Sequence, residues 1–212
     1  GVDNFITGSF ENLNILSKFD NFNFIRANIC SESLNYPKVD YVFNLACPAS
    51  PVHYSNHPFE TMDVCYKGLK NLLDYCLINN VSIFHSSTSE VYGDPLISPQ
   101  SETYNGNVNS FGPRSCYDCG KQIAETLCYE YAKLGVNIHL GRIFNTYGPN
   151  MHPNDGRVVS NFIVQALLGN EITIYGTGEQ TRSFCYVDDL IKGLMLLMFN
   201  SKITILPNCS YI

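Results

Sequence analysis

The chain has no cluster of basic residues. Of its 212 residues, 13 are lysine or arginine and 19 are aspartate or glutamate, so that the formal net charge is −6 at pH 7. Proteins bind nucleic acids largely through clustered lysine and arginine side chains that neutralise phosphates. The composition therefore argues against a nucleic-acid-binding surface.

The sequence also lacks an apolar run long enough to cross a membrane. The most apolar stretch near the C-terminus, residues 190–199, is short and contains Lys192, whereas a spanning helix crosses about 30 Å of hydrocarbon. The first residues do not show the basic stretch and apolar core of a signal peptide. The 45% apolar and 15% charged residues are ordinary for a globular protein with one substantial core. We therefore expect a soluble, cytoplasmic protein.

Neither a disulfide framework nor a metal site is indicated. The nine cysteines are an odd number scattered through apolar patterns, which is typical of reduced core thiols. Cys116 and Cys119 form a C-x-x-C pair without a second such pair, so a redox or zinc site is the less favoured alternative. His53 and His57 are four residues apart, but Pro58 follows and no acidic third ligand is near. We predict satisfied loop histidines and no metal.

Hydrophobic patterns predict alternating strands and helices up to about residue 149. The predicted strands cover residues 39–46, 81–86 and 136–143, and the predicted helices cover 59–78 and 117–134, the second ending at Gly135. Such alternation with short connections indicates an α/β fold with a doubly wound, Rossmann-like parallel sheet. Ligands of these sheets bind at the carboxyl ends of the strands.

The pattern changes after Pro149. Glycine-rich loops follow, with a predicted helix over 158–168, a short strand over 172–175 and a last helix from about Val187. We therefore divide the chain into a nucleotide-binding domain, residues 1–149, and part of a substrate-binding subdomain, residues 150–212.

Tyr117 and Lys121 carry the strongest chemical signal. Residues four apart on a helix face the same side, and the phenol of an ordinary tyrosine titrates near 10. A nearby ammonium favours the phenolate and makes it a better base. Thr88 or Ser89, at the end of a predicted strand, could hold a substrate hydroxyl against Tyr117. The alternative is an exposed helix face on which this spacing arises by chance.

Five motifs follow one another in order around this pair. They are N-L-A-C-P-A-S-P at 44–51, S-T-S-E-V-Y-G-D-P at 87–95, G-P-R-S-C-Y-D at 112–118, R-I-F-N-T-Y-G-P at 142–149 and D-G-R-V-V-S-N-F at 155–162. Together they resemble the UDP-glucuronate decarboxylases (UDP-xylose synthases) of the extended short-chain dehydrogenase family. The resemblance implies NAD-dependent decarboxylation of UDP-glucuronate through a 4-keto intermediate. It also implies a homodimer that pairs through helices 59–78 and 117–134.

The resemblance assigns roles residue by residue. The catalytic residues it implies are Thr88, Ser89, Glu90, Tyr117 and Lys121. The NAD-binding residues it implies are Asp3, Asn4, Ala46, Ser87, Tyr117 and Lys121. The substrate-binding residues it implies are Pro48, Asn145, Arg157, Tyr175 and Arg182. An arginine offers a bidentate fork to a diphosphate, although Arg182 could instead lie solvated on a surface hairpin, and Tyr175 could pack in a core rather than along the uracil.

Position 89 distinguishes between related reactions. Nucleotide-sugar dehydratases have an acidic pair after the threonine, because eliminating water needs an acid for the leaving hydroxyl and a base for the neighbouring carbon. This chain has Ser89 before Glu90, which favours loss of carbon dioxide from a keto intermediate. A 4,6-dehydratase or a 4-epimerase is the alternative within the enzyme class.

One element of a dinucleotide fold is missing from the sequence. No G-x-x-G-x-x-G precedes Asp3, although the pyrophosphate needs such a turn before a helix N-terminus. We expect the first strand and helix to be absent, leaving the neighbouring strands without their partner. Asn28 and Cys65 also depart from the aspartate and asparagine usual at these positions of the family. The alternative from another class is an inactive, truncated binding or regulatory homologue.

Overall fold

A computed structural model describes residues 1–31, 35–200 and 209–211 of the chain. The helices are α1 Phe10–Leu16, α2 Pro51–Asn56, α3 Pro58–Asp63, α4 Leu69–Asn79, α5 Ser115–Lys133, α6 Val158–Leu167 and α7 Val187–Phe199. The strands are β1 Val2–Asp3, β2 Ile25–Arg26, β3 Tyr41–Asn44, β4 Ser82–Thr88, β5 Ile138–Ile143, β6 Asn145–Tyr147, β7 Phe184–Tyr186 and β8 Cys209–Tyr211.

All the strand pairs in the described residues are parallel. The main sheet has the order β3-β4-β5-β8, and β1-β2 and β6-β7 form two small sheets. Among the described residues, β1 pairs with β2 alone and β3 with β4 alone, so that each has an unpaired edge.

The main sheet is covered on both faces. Ile83 and Phe84 are successive residues of β4, so their side chains point to opposite faces, and both are completely buried. Ile83 packs in a cluster with residues of α4 and α5, such as Leu73 and Ala124. Phe84 packs with Leu194, Leu197 and Met198 of α7. The fold is therefore a Rossmann-like, doubly wound α/β fold, as predicted.

The helix predicted over 59–78 is built from three segments. A π-helical turn, Val64–Gly68, joins α3 to α4. Gly68 is buried there, and a Cβ at this position would lie 2.9 Å from the side chain of Ile29. The helix ends at Asn80, which adopts a left-handed conformation with φ 55°, a conformation that asparagine tolerates better than most residues.

The segment after residue 150 departs from the prediction in one place. The strand predicted over 172–175 is wrong, because these residues have no regular structure and Thr173 instead hydrogen-bonds to the side chain of Gln165 on α6, at 3.0 and 3.2 Å. The pairing of β6 with β7 was not predicted. The predicted domain boundary near residue 150 stays a prediction. Two elements that follow it belong to or pack on the main sheet: β8 pairs with β5, and α7 packs against Phe84 of β4. No helix within the described residues is both long and apolar enough to cross a membrane.

Candidate active site

Tyr117 and Lys121 lie in the first two turns of α5, facing the end of β4. Their exposed fractions are 5% and 3%. The Lys121 ammonium donates a hydrogen bond to the carbonyl oxygen of Ser86 at 2.9 Å, and its Nζ is 5.8 Å from the centre of the Tyr117 ring. The two side chains are thus neighbours on one buried face of the helix, which is the arrangement that their spacing predicts.

Burial and charge act on Tyr117 in opposite directions. Burial raises the pKa of the Tyr117 phenol, while the Lys121 ammonium and a hydrogen bond with Thr88 lower it. The net pKa is raised, because desolvation of a phenolate outweighs both stabilising contacts. Lys121 therefore acts in the expected direction, but it does not by itself make Tyr117 a phenolate at neutral pH.

Lys121 remains an ammonium in spite of its burial. Burial by itself lowers the pKa of Lys121, but the ionisable groups of Cys47, Tyr117 and Cys65 raise it by more, so that the net pKa is raised. A permanent positive charge is therefore held beside the phenol of Tyr117.

The residues that end β4 lie beside this pair. Thr88 is buried and accepts a hydrogen bond from the amide of Glu90 at 3.3 Å. Ser89 donates to the Glu90 carboxylate at 3.4 Å. Glu90 also forms an ion pair with Arg114, whose guanidinium is 3.7 Å from Asp118 on α5. Glu90 is thus held by an ion pair with Arg114 and a hydrogen bond from Ser89.

Four of the predicted binding residues line one cleft at the carboxyl ends of β1 and β3. They are Asp3, Asn4, Ala46 and Pro48. The side chains of Asp3 and Asn4 accept hydrogen bonds from the amides of Phe5 and Ile6, at 2.6 and 3.2 Å. Cys47 also lines the cleft, and its thiol interacts with Lys121. The cleft therefore adjoins the buried pair on α5.

Ser87 is directed elsewhere. Its hydroxyl donates to the Glu125 carboxylate at 2.5 Å, and Glu125 also receives two hydrogen bonds from Arg142 of β5 at 3.0 and 2.7 Å. The Ser87 hydroxyl is thus part of an ion-pair network between α5 and the sheet.

The arginines predicted to grip a diphosphate have partners within the chain. Arg157 makes a two-pronged ion pair with the buried carboxylate of Asp155. The exposed Arg182 donates to the carbonyl of Thr181 at 2.7 Å. Asn145, which begins β6, donates to the carbonyl of Ser183 at 3.4 Å. The structure does not bring these side chains into contact with Tyr117 or Lys121 through any hydrogen bond or ion pair among the described residues.

Tyr175 is 75% exposed and lies in the irregular segment after α6. The alternative of a packed core residue is therefore wrong for the described chain.

Sequence reasoning missed Tyr54 as a neighbour of the site. The Tyr54 ring stacks on Tyr117 with centroids 4.9 Å apart and planes 10° from parallel. Its helix α2 is capped by Ser50, whose hydroxyl accepts a hydrogen bond from the amide of His53 at 3.3 Å, and Pro51 lies in the first turn. The Ser-Pro start predicts this short helix, but no local signal shows that it delivers an aromatic ring to α5.

The described residues contain no group of three or more His, Cys, Asp or Glu side chains that could hold a metal ion. In the same part of the chain, no disulfide joins two cysteines, and Cys116 interacts through its thiol with the carbonyl of Tyr54 at 3.7 Å.

The doubly wound parallel sheet and the buried tyrosine–lysine pair beside a strand end are the features that the resemblance to the extended short-chain dehydrogenase family led us to expect. The chain belongs to the NAD dependent epimerase/dehydratase family, whose model matches residues 3–204.

Curated relatives of the chain are UDP-glucuronic acid decarboxylases. The chain is 50% identical over 204 residues to UDP-glucuronic acid decarboxylase 1 of Xenopus tropicalis, covering 96% of the chain and 48% of that protein. It is 50% identical over 198 residues to UDP-glucuronic acid decarboxylase 6 of Arabidopsis thaliana, covering 93% of the chain and 57% of the relative. These similarities confirm the resemblance found in the motifs, and the chain spans about half the length of these relatives.

Solved structures of the same fold are more distant in sequence. The UDP-glucuronic acid 4-epimerase of Bacillus cereus, solved with UDP-glucuronic acid and NAD, is 28% identical with a TM-score of 0.82, over 95% of the chain and 65% of that protein. The UDP-glucose 4-epimerase of Thermotoga maritima, solved with UDP-glucose, is 30% identical with a TM-score of 0.81, over 93% and 64% of the two chains.

Proposed function

We propose that the protein containing this chain decarboxylates UDP-glucuronate to UDP-xylose with NAD as a recycled cofactor. The observation that carries the proposal is the buried Tyr117–Lys121 pair next to Thr88. The 50% identity to UDP-glucuronic acid decarboxylases supports the choice of substrate.

The residues present fit parts of a dinucleotide site. Asp3 puts a carboxylate at the carboxyl end of β1, where it could accept hydrogen bonds from ribose hydroxyls, and Asn4, Ala46 and Pro48 line the same cleft. Lys121 adjoins that cleft and would contact the nicotinamide ribose. When bound, NAD supplies the acceptor for a hydride and later returns it.

The residues of the chain then have separate tasks. In its phenolate form Tyr117 accepts the proton of the sugar 4-hydroxyl, and the Lys121 ammonium stabilises that phenolate before the transfer. Thr88 fixes the phenol oxygen by its hydrogen bond and orients the sugar hydroxyl. The resulting 4-keto acid is a β-keto acid, so its carboxylate leaves as carbon dioxide because the electron pair enters the neighbouring carbonyl.

The surroundings of Glu90 favour decarboxylation over dehydration. A dehydratase needs a proton donor for the leaving hydroxyl, but Glu90 is paired with Arg114 and position 89 offers only the hydroxyl of a serine. Loss of carbon dioxide needs no such donor. We therefore place Ser89 and Glu90 against the substrate as orienting groups rather than as an acid–base pair.

We further propose a homodimer in the cytoplasm. Apolar side chains of the helix formed by α3 and the π turn remain exposed, among them Phe59 at 74%, Met62 at 40% and Tyr66 at 47%. Pairing of this helix and α5 with a second copy would bury them. The cysteines of the described residues form no disulfide, which is the usual state in a reducing cytoplasm.

The decisive experiment incubates the whole protein with NAD and UDP-glucuronate and separates the nucleotide sugars. We expect UDP-xylose and carbon dioxide in equal amounts, with no net NADH. The Tyr117→Phe variant should lose about 10²- to 10⁴-fold in kcat. Its matched control, Tyr104→Phe, removes a hydroxyl that accepts a hydrogen bond from the Leu96 amide in the loop between β4 and α5, and it should keep full activity.

Other products would select the alternatives. Conversion of UDP-glucuronate to its 4-epimer without carbon dioxide would identify an epimerase, and conversion of another sugar nucleotide alone would point to a dehydratase. Calorimetry with NAD tests the inactive homologue: micromolar binding contradicts it, whereas absence of both binding and turnover in the whole protein refutes the enzyme.

A further inference from the structure

Two cysteines from different elements meet next to the candidate catalytic pair. Cys47 follows β3 and Cys65 lies in the π turn between α3 and α4, 18 residues further along the chain. Their sulfur atoms are 3.7 Å apart. Cys65 is 3% exposed, while Cys47 is half-buried and lines the cleft, so that small solutes reach Cys47 first.

The environment assigns different states to the two thiols. The hydrogen bond from the Cys65 thiol lowers the pKa of Cys47, and the Lys121 ammonium lowers it further; burial opposes them, but the net pKa falls to about 7. The same hydrogen bond and burial raise the pKa of Cys65. Cys47 is thus the thiol of the pair that ionises more readily, and Cys65 stays a thiol.

We propose that Cys47 and Cys65 form a peroxide-reactive thiol pair that closes to a disulfide beside Tyr117 and Lys121. The oxidant is hydrogen peroxide. The proposal is independent of the decarboxylation, because it involves only two thiols of the chain and a peroxide.

The reaction proceeds in two balanced steps. The Cys47 thiolate attacks one peroxide oxygen, the O–O bond breaks, and the leaving hydroxide takes a proton to become water, which leaves Cys47 as a sulfenic acid. The Cys65 sulfur then attacks the Cys47 sulfur, so that an S–S bond forms and the S–O bond breaks. The departing hydroxide takes the Cys65 proton. Two thiols have lost two electrons and two protons, and one peroxide has become two waters.

The geometry allows this closure and gives it a consequence at the site. A disulfide has its sulfurs about 2.0 Å apart, so the two atoms must approach by less than about 2 Å. Cys65 is held in the helix, where a Cβ on Gly120 of α5 would lie 3.2 Å from its sulfur, so Cys47 and its loop make the movement. Ala46 and Pro48 of that loop line the cleft, so the movement affects the cleft lining. Closure of the disulfide also removes the negative charge of the Cys47 thiolate next to Lys121.

The test maps the oxidation directly on this 212-residue chain. The protein is exposed to a small excess of hydrogen peroxide, the remaining thiols are alkylated, and the digested peptides are identified by mass spectrometry. We expect a cross-link between the peptides containing Cys47 and Cys65 as the main product, reversed by dithiothreitol. The rate should rise with pH around 7, following the thiolate of Cys47.

Variants separate the two roles. In Cys65→Ser, Cys47 should stop at the sulfenic acid and be trapped by dimedone, whereas in Cys47→Ser Cys65 should stay unmodified. Cys116→Ser is the matched control, since Cys116 is a half-buried thiol of the same region and its loss should leave the cross-link unchanged. Circular dichroism checks that each variant is folded. The peptide mapping of the unaltered chain tests the proposal even where a variant does not fold.

Three results would overturn the proposal. One is a main cross-link between Cys47 and Cys116, and another is uniform oxidation of the thiols without a preferred pair. The third is retention of both thiols when other half-buried cysteines of the same sample, such as Cys185, are already oxidised.

Discussion

The network around Glu125 gives the sharpest prediction about stability. The Glu125 carboxylate of α5 accepts two hydrogen bonds from the guanidinium of Arg142 and one from Ser87. Arg142 also donates to the Tyr92 hydroxyl and to the carbonyl of Glu102, at 3.0 and 2.9 Å. The two charged side chains are only 16 and 17% exposed. The network thus fixes α5 to β4 and β5 directly next to Thr88.

Glu125→Gln should destabilise the chain by about 3 kcal/mol. Glutamine has the same shape, but its NH₂ group would face the Arg142 donor that now contacts a carboxylate oxygen. A guanidinium with little solvent access would then lack its counter-charge. Removing one partner of a buried ion pair costs about 3 to 5 kcal/mol. Because the Glu125 and Arg142 side chains keep some exposure to solvent, we expect a cost at the lower end of this range.

The matched control is Glu130→Gln, five residues further along α5. Glu130 pairs with Lys133 at 2.7 Å, but both side chains are more than half exposed, so its loss should cost no more than about 0.5 kcal/mol. Urea unfolding followed by circular dichroism measures both. With a slope of about 2 kcal/mol/M, Glu125→Gln should lower the midpoint by roughly 1.5 M and the control should hardly change it. Equal shifts, or a loss below about 1 kcal/mol for Glu125→Gln, would refute the reasoning.

Three further predictions concern the site, the core and the proposed dimer. In the whole protein, Lys121→Met removes the ammonium that lowers the pKa of Tyr117, so the rise of kcat/KM with pH should move to higher pH; an unchanged profile contradicts the role of Lys121. Leu73→Ala should cost about 3 kcal/mol in urea unfolding because Leu73 is fully buried, whereas Leu77→Ala, at an exposed fraction of 39%, should cost less than about 1 kcal/mol. Tyr66→Arg places a charge on the exposed helix face and should halve the mass measured by light scattering; a dimer that persists rules out this face.

Much of the fold follows from patterns that are local in the chain. Buried parallel strands have continuous apolar runs, and a helix buried on one face repeats its apolar residues every three or four positions. The strands around Val42 and Ile83 and the helix containing Tyr117 were predicted on that basis. The strand over 172–175 was wrong because its apolar residues resemble a strand, yet its hydrogen-bonding partner turned out to be the side chain of Gln165.

The candidate site divides in the same way. The spacing of Tyr117 and Lys121 already places both on one helix face, since the helical repeat is independent of the rest of the fold. Whether an arginine is available to a ligand depends on where the carboxylates of other segments lie. Arg157 was predicted as a phosphate ligand, and the structure adds its pairing with Asp155, so that its role in substrate binding stays a prediction.

The sequence by itself determined the alternation of strands and helices, the tyrosine–lysine pair and the family, because each depends on residues near one another in the chain or on ordered motifs. Only the tertiary structure decided the net pKa of Tyr117, the stacking of Tyr54 on its ring and the meeting of Cys47 with Cys65. Burial and contacts between distant segments arise when the sheet and helices pack, and no local pattern specifies them.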